Sequence, residues 1–263
     1  MEEKTLVHYQ VEDGIAIMEL DNPPANTYSY EMMRQLDEAV LKARFDDRVH
    51  VIIIRGKGAK FFSAGADIEM LNRVTPEFKY YFCLHANETL NRLERTPKLV
   101  IAALNGHTVG GGLEIAMTCD LRIARRDAGQ IGLPEIALGV LPGTGGTQRL
   151  SRHVGKARAL ELMVSGRKIS FEEAHEIGLV HDIYENEGFF EQVKAFARHF
   201  LPPNKASKAV GRIKLAVQTG AEVPLWEALA LEQELQAGLF SSEDAKEGIR
   251  SYVEKGIPKF KGL

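Results

Sequence analysis

The 263-residue chain opens with two strand-like runs, Leu6–Gln10 and Ile15–Leu20, folded back about Asp13-Gly14. Asp-Gly between two such runs predicts a β-hairpin. A helix is predicted over Tyr30–Arg44, with Ser29 as its cap. Two further segments share one layout. Val49–Arg55 is a β-branched run too short for a helix, ending at Gly56; the loop Lys57–Phe62, then Ser63-Ala-Gly-Ala-Asp67 and apolar Ile68–Leu71, follow it. Leu99–Leu104 ends at Asn105-Gly106 and leads into Gly110-Gly-Gly112 and Leu113–Cys119. Both read as strand, small-residue loop, helix. Near-continuous apolar strands alternating with helices predict an α/β sheet covered on both faces.

Past Gly155 the pattern turns helical. Ser170-Phe-Glu-Glu173 is a capping box opening a helix that Gly178 closes. Four amphipathic pieces are expected beyond Pro202-Pro203; in one, Leu225, Ala228, Leu231, Leu235 and Leu239 recur at spacings of three and four. Residues 1–200 therefore form an α/β body and residues 201–263 a helical C-terminal part.

Composition narrows the function. The chain is 44% hydrophobic and 26% charged, which excludes disordered, collagenous and coiled-coil classes. With 36 acidic against 33 basic residues the net charge is −3, so no basic surplus points to nucleic acid or anionic lipid. Cys83 and Cys119 lack CxxC spacing, and the charged start, Met1 to Thr5, lacks an apolar stretch. No apolar run reaches membrane-span length. The expectation is a reduced, cytoplasmic protein. The triplet Asn87-Glu88-Thr89 is incidental on that reading.

Phosphate-loop, dinucleotide and nucleophile-elbow motifs are missing, and the eight histidines form no HxH or HExxH group. His107, just before the glycine run, reads as a structural hydrogen-bonding residue. No metal or prosthetic group is expected.

Three stretches remain. At Gly110-Gly111-Gly112-Leu113-Glu114 a helix start offers free amides that favour developing negative charge. Glu114 there reads either as a carboxylate complementing the helix dipole or as a partly buried acid or base. Ser63-Ala64-Gly65-Ala66-Asp67 offers amides at a second strand-to-helix turn; one aimed at the same oxygen would complete an oxyanion hole. In Leu133-Pro134-Glu135, Pro134 fixes the backbone before a second carboxylate, and Gly143 is expected to open another helix. Singly each motif is weak; together, in a chain without other catalytic groups, they are informative.

These stretches, with Phe61–Ile68, Asn105–Glu114, Cys119-Asp120, Leu141–Arg149, Asn22–Asn26 and Ser242–Gly248, closely resemble the crotonase superfamily, and within it enoyl-CoA hydratase. The resemblance spans nearly the whole chain. It implies a spiral of ββα units with a helical C-terminal trimerisation region, assembled as a trimer or a dimer of trimers. It implies an acyl-CoA substrate whose thioester carbonyl binds the N–H groups of Ala66 and Gly111. Glu114 and Glu135 would face the Cα–Cβ bond, Gly143 would help hold the water, and Ala64, Asp67 and Ile68 would line the substrate. Coenzyme A belongs to the substrate, so no cofactor is implied.

Retention of both glutamates favours reversible hydration of a trans-2-enoyl-CoA over a Δ3,Δ2-enoyl-CoA isomerase, a thioester hydrolase or a non-catalytic CoA-ester or RNA-binding scaffold. Relatives often carry a basic residue where this chain has Pro23–Ala25. Arg55, Lys57, Lys60, Lys259 and Lys261 are the alternatives for the CoA phosphates. The aromatic run Phe78–Leu84 falls where the family's acyl pocket varies, although core packing is the expected reason for it.

Overall fold

The computed structural model describes residues 4–263; the first three residues of the charged start lie outside them. The hairpin forms as β1 (Val7–Glu12) and β2 (Ile15–Leu20), with Asp13 and Gly14 at positive φ in its turn. α1 (Tyr30–Phe45) follows, the Ser29 side chain accepting from the Met32 amide. β3 (Val51–Gly56) leads to a three-residue strand, β4 (Phe61–Ser63), before α2 (Ile68–Arg73) and α3 (Pro76–Glu94). The second unit repeats this with β5 (Leu99–Leu104), β6 (His107–Val109) and α4 (Gly111–Met117). β7 (Leu121–Arg125) and β8 (Gln130–Gly132) begin a third, which ends in a 3-10 turn at Glu135–Leu138.

Each turn of the chain thus contributes one strand to each of two sheets. After α5 (Gly146–Val154) and α6 (Lys156–Ser165), β9 (Ile169–Ser170) closes the smaller sheet, ordered β4-β6-β8-β9. α7 (Phe171–Glu176), β10 (Asp182–Tyr184) and α8 (Phe189–Arg198) complete the body, and the larger sheet runs β1-β2-β3-β5-β7-β10, parallel from β2 onward.

The apolar runs are explained by burial on both faces. Ile52, Ile54, Val100, Ala102 and Leu104 enter the main core with Met32, Leu36 and Leu90 from α1 and α3. Val51, Ile53, Ile101 and Ala103 point the other way, against Phe189, Val193 and Ala197 of α8. Two-sided burial removes the polar half of the strand alternation.

Three expectations are corrected. The helix expected at Gly143 begins at Gly146, because residues 143–145 form a turn from which Thr144 N, with Gly146 N at the helix start, donates to Glu114. Three helices, not four, follow Pro203: α9 (Ser207–Gly220), α10 (Leu225–Phe240) and α11 (Glu243–Val253). The aromatic run of α3 is not core as a whole: Phe82 is buried, whereas Phe78, Tyr80, Tyr81 and Leu84 are exposed, since the helix turns only one side to the core.

Among the described residues no helix is long and apolar enough to cross a membrane. The capping box of α7 is half made: Ser170 Oγ accepts from Glu173 N at 3.1 Å, but the Glu173 carboxylate pairs with Arg167.

Candidate active site

The ends of β4, β6 and β8 bring the three predicted stretches together. Tyr28 forms a parallel bridge to Ala66: its N–H donates to Gly65 O at 2.9 Å and its C=O accepts from Asp67 N at 3.0 Å. In a parallel bridge the partner's own N–H points away from the bridging strand. Ala66 N–H accordingly has no acceptor among the described residues, nor does Gly111 N–H.

The two loops abut. A Cβ on Gly65, whose φ is +89°, would lie 2.8 Å from Gly111 N, and one on Gly111 would lie 2.1 Å from Tyr28 Cε1. Glycine is required at both positions by this closeness. Asn26 holds the loop before β4 from behind, its side-chain amide donating to Lys57 O and Phe61 O at 3.0 Å each.

Glu114, in the first turn of α4, is 2% exposed. Its Oε1 accepts from Thr144 N at 2.7 Å and Gly146 N at 2.8 Å, and its Oε2 accepts from the Thr144 hydroxyl. Three converging donors are a carboxylate's partners, since the ionised group only accepts. Glu135 sits across the Gly110 backbone, with Oε1 3.1 Å from where a Gly110 Cβ would be. Its Oε2 is buried without a hydrogen-bond partner among the described residues. Burial first, and then the neighbouring Glu114 charge, push the Glu135 carboxyl up to about 7.

The other expected positions are less central. Gly143 C=O accepts from Asn87 Nδ2 at 3.2 Å, and Gly143 is the neighbour of Thr144 rather than a helix start. Asp67 caps α2, its carboxylate accepting from Met70 N at 3.1 Å, and Ile68 is exposed at the same turn. Ala64 N–H is spent on Ala25 O at 2.9 Å. His107 Nδ1 accepts from Gln130 N at 3.1 Å, the structural role expected of it.

Of the basic residues, Arg55 pairs with Glu19 and lies over the Phe190 ring, and Lys57 pairs with Asp21. Lys60 Nζ lies 5.6 Å from the Phe61 ring centroid, while the tail residues Lys259 and Lys261 donate backbone amides to Glu247 and Asp244.

Thr144 and Tyr28 were not legible as site residues. Thr144 looks like one more turn residue in a Gly-rich stretch, and its partner is thirty positions away. Tyr28, 3% exposed, hydrogen-bonds Thr144 Oγ1 through its hydroxyl at 3.3 Å.

A family model described as enoyl-CoA hydratase/isomerase matches residues 10–263. A "probable enoyl-CoA hydratase" of Bacillus subtilis is 40% identical over 96% of this chain and 97% of its own length. The "short-chain-enoyl-CoA hydratase" of Clostridium acetobutylicum is 37% identical, with 93% of each chain covered. A solved Geobacillus kaustophilus structure, named "enoyl-CoA hydrates", superposes with a TM-score of 0.96 at 46% identity, covering 100% of this chain and 98% of the other. The chain belongs to the enoyl-CoA hydratase/isomerase family, within the crotonase superfamily.

Proposed function

We propose that the chain works as an enoyl-CoA hydratase, a hydro-lyase that adds water reversibly across the Cα=Cβ bond of a trans-2-enoyl-CoA thioester, with Glu114 as the main base and Glu135 as the acid. Similarity to hydratases over nearly the full chain supports the activity. One observation carries the assignment of roles: Glu114 takes three hydrogen-bond donors while the buried Oε2 of Glu135 takes none.

Conjugate addition needs two opposite proton movements. Water loses a proton as its oxygen attacks Cβ, and Cα gains one. A carboxylate and a neutral carboxylic acid side by side supply both when their surroundings hold them in different protonation states. Charge that builds on the thioester oxygen meets the Ala66 and Gly111 amides, each worth about 2.7–4 kcal/mol by comparison with other oxyanion donors. Gly143 N–H lies next to the Glu114 partner Thr144 and would help hold the water. Ala64, Asp67 and Ile68 form the turn along which the substrate would lie. The scheme needs no group beyond the CoA thioester.

The C-terminal region, residues 201–263, is read as the oligomerisation part. Trp226, 80% exposed, Leu225 and Phe240 on α10 and Tyr252 on α11 leave an apolar surface that a single chain does not cover. A trimer or a dimer of trimers rests on the resemblance. Incubation with crotonyl-CoA tests the activity through loss of the conjugated enoyl-thioester absorbance. An unchanged signal with intact binding would make the chain a scaffold, and turnover confined to a 3-enoyl-CoA would make it an isomerase.

A further inference from the structure

We infer that Tyr28 is a positioning residue that ties the two halves of the site together, its hydroxyl orienting Glu114 through Thr144 while its ring and backbone hold the Gly111 and Ala66 amides. The inference rests on the two-carboxylate reading above.

The direction of the hydrogen-bond chain follows from what each group can do. The Glu114 carboxylate only accepts, so the proton of the Thr144 hydroxyl is given to Oε2. Thr144 Oγ1 is then left to accept, and Tyr28 OH, 3.3 Å away, is the donor. Tyr28 keeps that proton, because burial and the nearby Glu114 charge hold its hydroxyl well above the usual tyrosine range. The order Tyr28, Thr144, Glu114 is therefore fixed, and the hydroxyl rotor of Thr144 is locked. A carboxylate has about four lone-pair directions. Three are taken by Thr144 N, Gly146 N and the Thr144 hydroxyl, which leaves one for the water.

The same residue sets the amides. Its ring lies flush on Gly111, where a Cβ would come within 2.1 Å of Cε1, and Phe82 packs against that ring with centroids 5.7 Å apart. Its backbone brackets Ala66 through Gly65 O and Asp67 N. One residue, through its ring at Gly111 and its backbone at Ala66, thus fixes where the oxyanion donors sit relative to the base. Such geometry decides whether the bound substrate meets both at once.

Hydration of crotonyl-CoA by Tyr28→Phe, Thr144→Ala, Thr144→Ser and the pair Tyr28→Phe/Thr144→Ala tests this, with Glu114→Gln alongside. Phe keeps the ring packing and removes only the donor. Tyr28→Phe should lower kcat about 3- to 10-fold, the range for one neutral hydrogen bond, and leave KM within about twofold. Thr144→Ala should lose at least as much, and Thr144→Ser should restore most of it. The pair should be no slower than Thr144→Ala, since the tyrosine hydroxyl acts only through Thr144.

Wild-type kcat in Tyr28→Phe, a change in KM instead of kcat, losses that multiply in the pair, or a Phe variant that does not fold would each overturn the positioning role. If Glu114→Gln is slow while Tyr28→Phe is not, this inference fails and the two-carboxylate reading stands. If Glu114→Gln itself keeps the wild-type rate, both fall.

Discussion

Glu114 and Glu135 lie near enough for the charge of the first to raise the carboxyl of the second, yet their hydrogen-bonding surroundings are opposite: the first is held by Thr144 and Gly146, the second buries an unpartnered oxygen. That asymmetry separates a base from an acid in chemically identical side chains.

It gives hydration a pH dependence. On the proposed roles Glu135 must be protonated to deliver the Cα proton, and with its carboxyl pushed up to about 7 by burial it loses that proton near pH 7. The kcat/KM for hydration should fall above about pH 7, and that for the reverse dehydration should fall with it, because both directions use the glutamate pair carrying one proton and the overall equilibrium takes up none. Initial rates in both directions from pH 5.5 to 9 check this. A kcat/KM that stays level through pH 9 would contradict it.

The same shift links to stability. An acid raised from 4.5 to about 7 in the folded state keeps more protons folded than unfolded between those values, so stability falls as pH rises through that window. Glu135→Gln removes the dependence. Its Tm should pull ahead of wild type between about pH 4.5 and 7 and keep a constant lead above that. A lead that shrinks with rising pH would show that Glu135 is not the raised group.

Charge coupling between the pair is separately measurable. Glu114→Gln removes the negative charge that helps raise Glu135, so the Glu135 carboxyl should titrate lower than in wild type. Carboxyl 13C chemical shifts followed against pH would report it. An unmoved Glu135 titration would mean that burial accounts for the whole shift.

Gly111 shows where sequence reasoning needed the structure. Three consecutive glycines point to close backbone approach, but nothing in the sequence identifies the Tyr28 ring as what approaches. A bulky residue there meets the Tyr28 ring, so it carries a folding penalty as well as a loss of turnover. Gly111→Val should cut kcat/KM about 10²-fold or more and also destabilise by about 1–3 kcal/mol, the usual range for overpacking. Near-normal turnover in a folded variant would place the oxyanion donors elsewhere.

The strands of the larger sheet were readable because two-sided burial writes itself as uninterrupted Val and Ile, as in Val51–Ile54. The smaller sheet was not readable from the residues. β4, β6 and β8 are three residues each, too short to show a period of two, so Lys57–Phe62 looked like loop although β4 begins at Phe61. Glu114 and Glu135 stood out because carboxylates are rare among apolar and glycine neighbours. Thr144 did not, because a threonine in a glycine turn is ordinary and its role depends on a contact across the fold. In α10 the broad apolar surface concealed the helix boundaries, and four pieces were read where three helices run.

Residues 201–263 carry the assembly claim. Light scattering at working concentration should give a mass of at least a trimer, and Trp226→Glu should shift it downward by placing charge on the exposed apolar surface of α10. A monomer peak for the unaltered chain would remove the assigned role of this region.

The central claim is that two carboxylates act on one water, and hydration rates of Glu114→Gln, Glu135→Gln and the double variant test it most directly, with circular dichroism confirming the fold. Each single substitution should lower kcat by about 10²-fold or more, the range for removing a general acid or base. The double should lose far less than the product of the two, because groups that act as a unit are not additive. A single substitution at either glutamate that leaves hydration near the wild-type rate would contradict the mechanism.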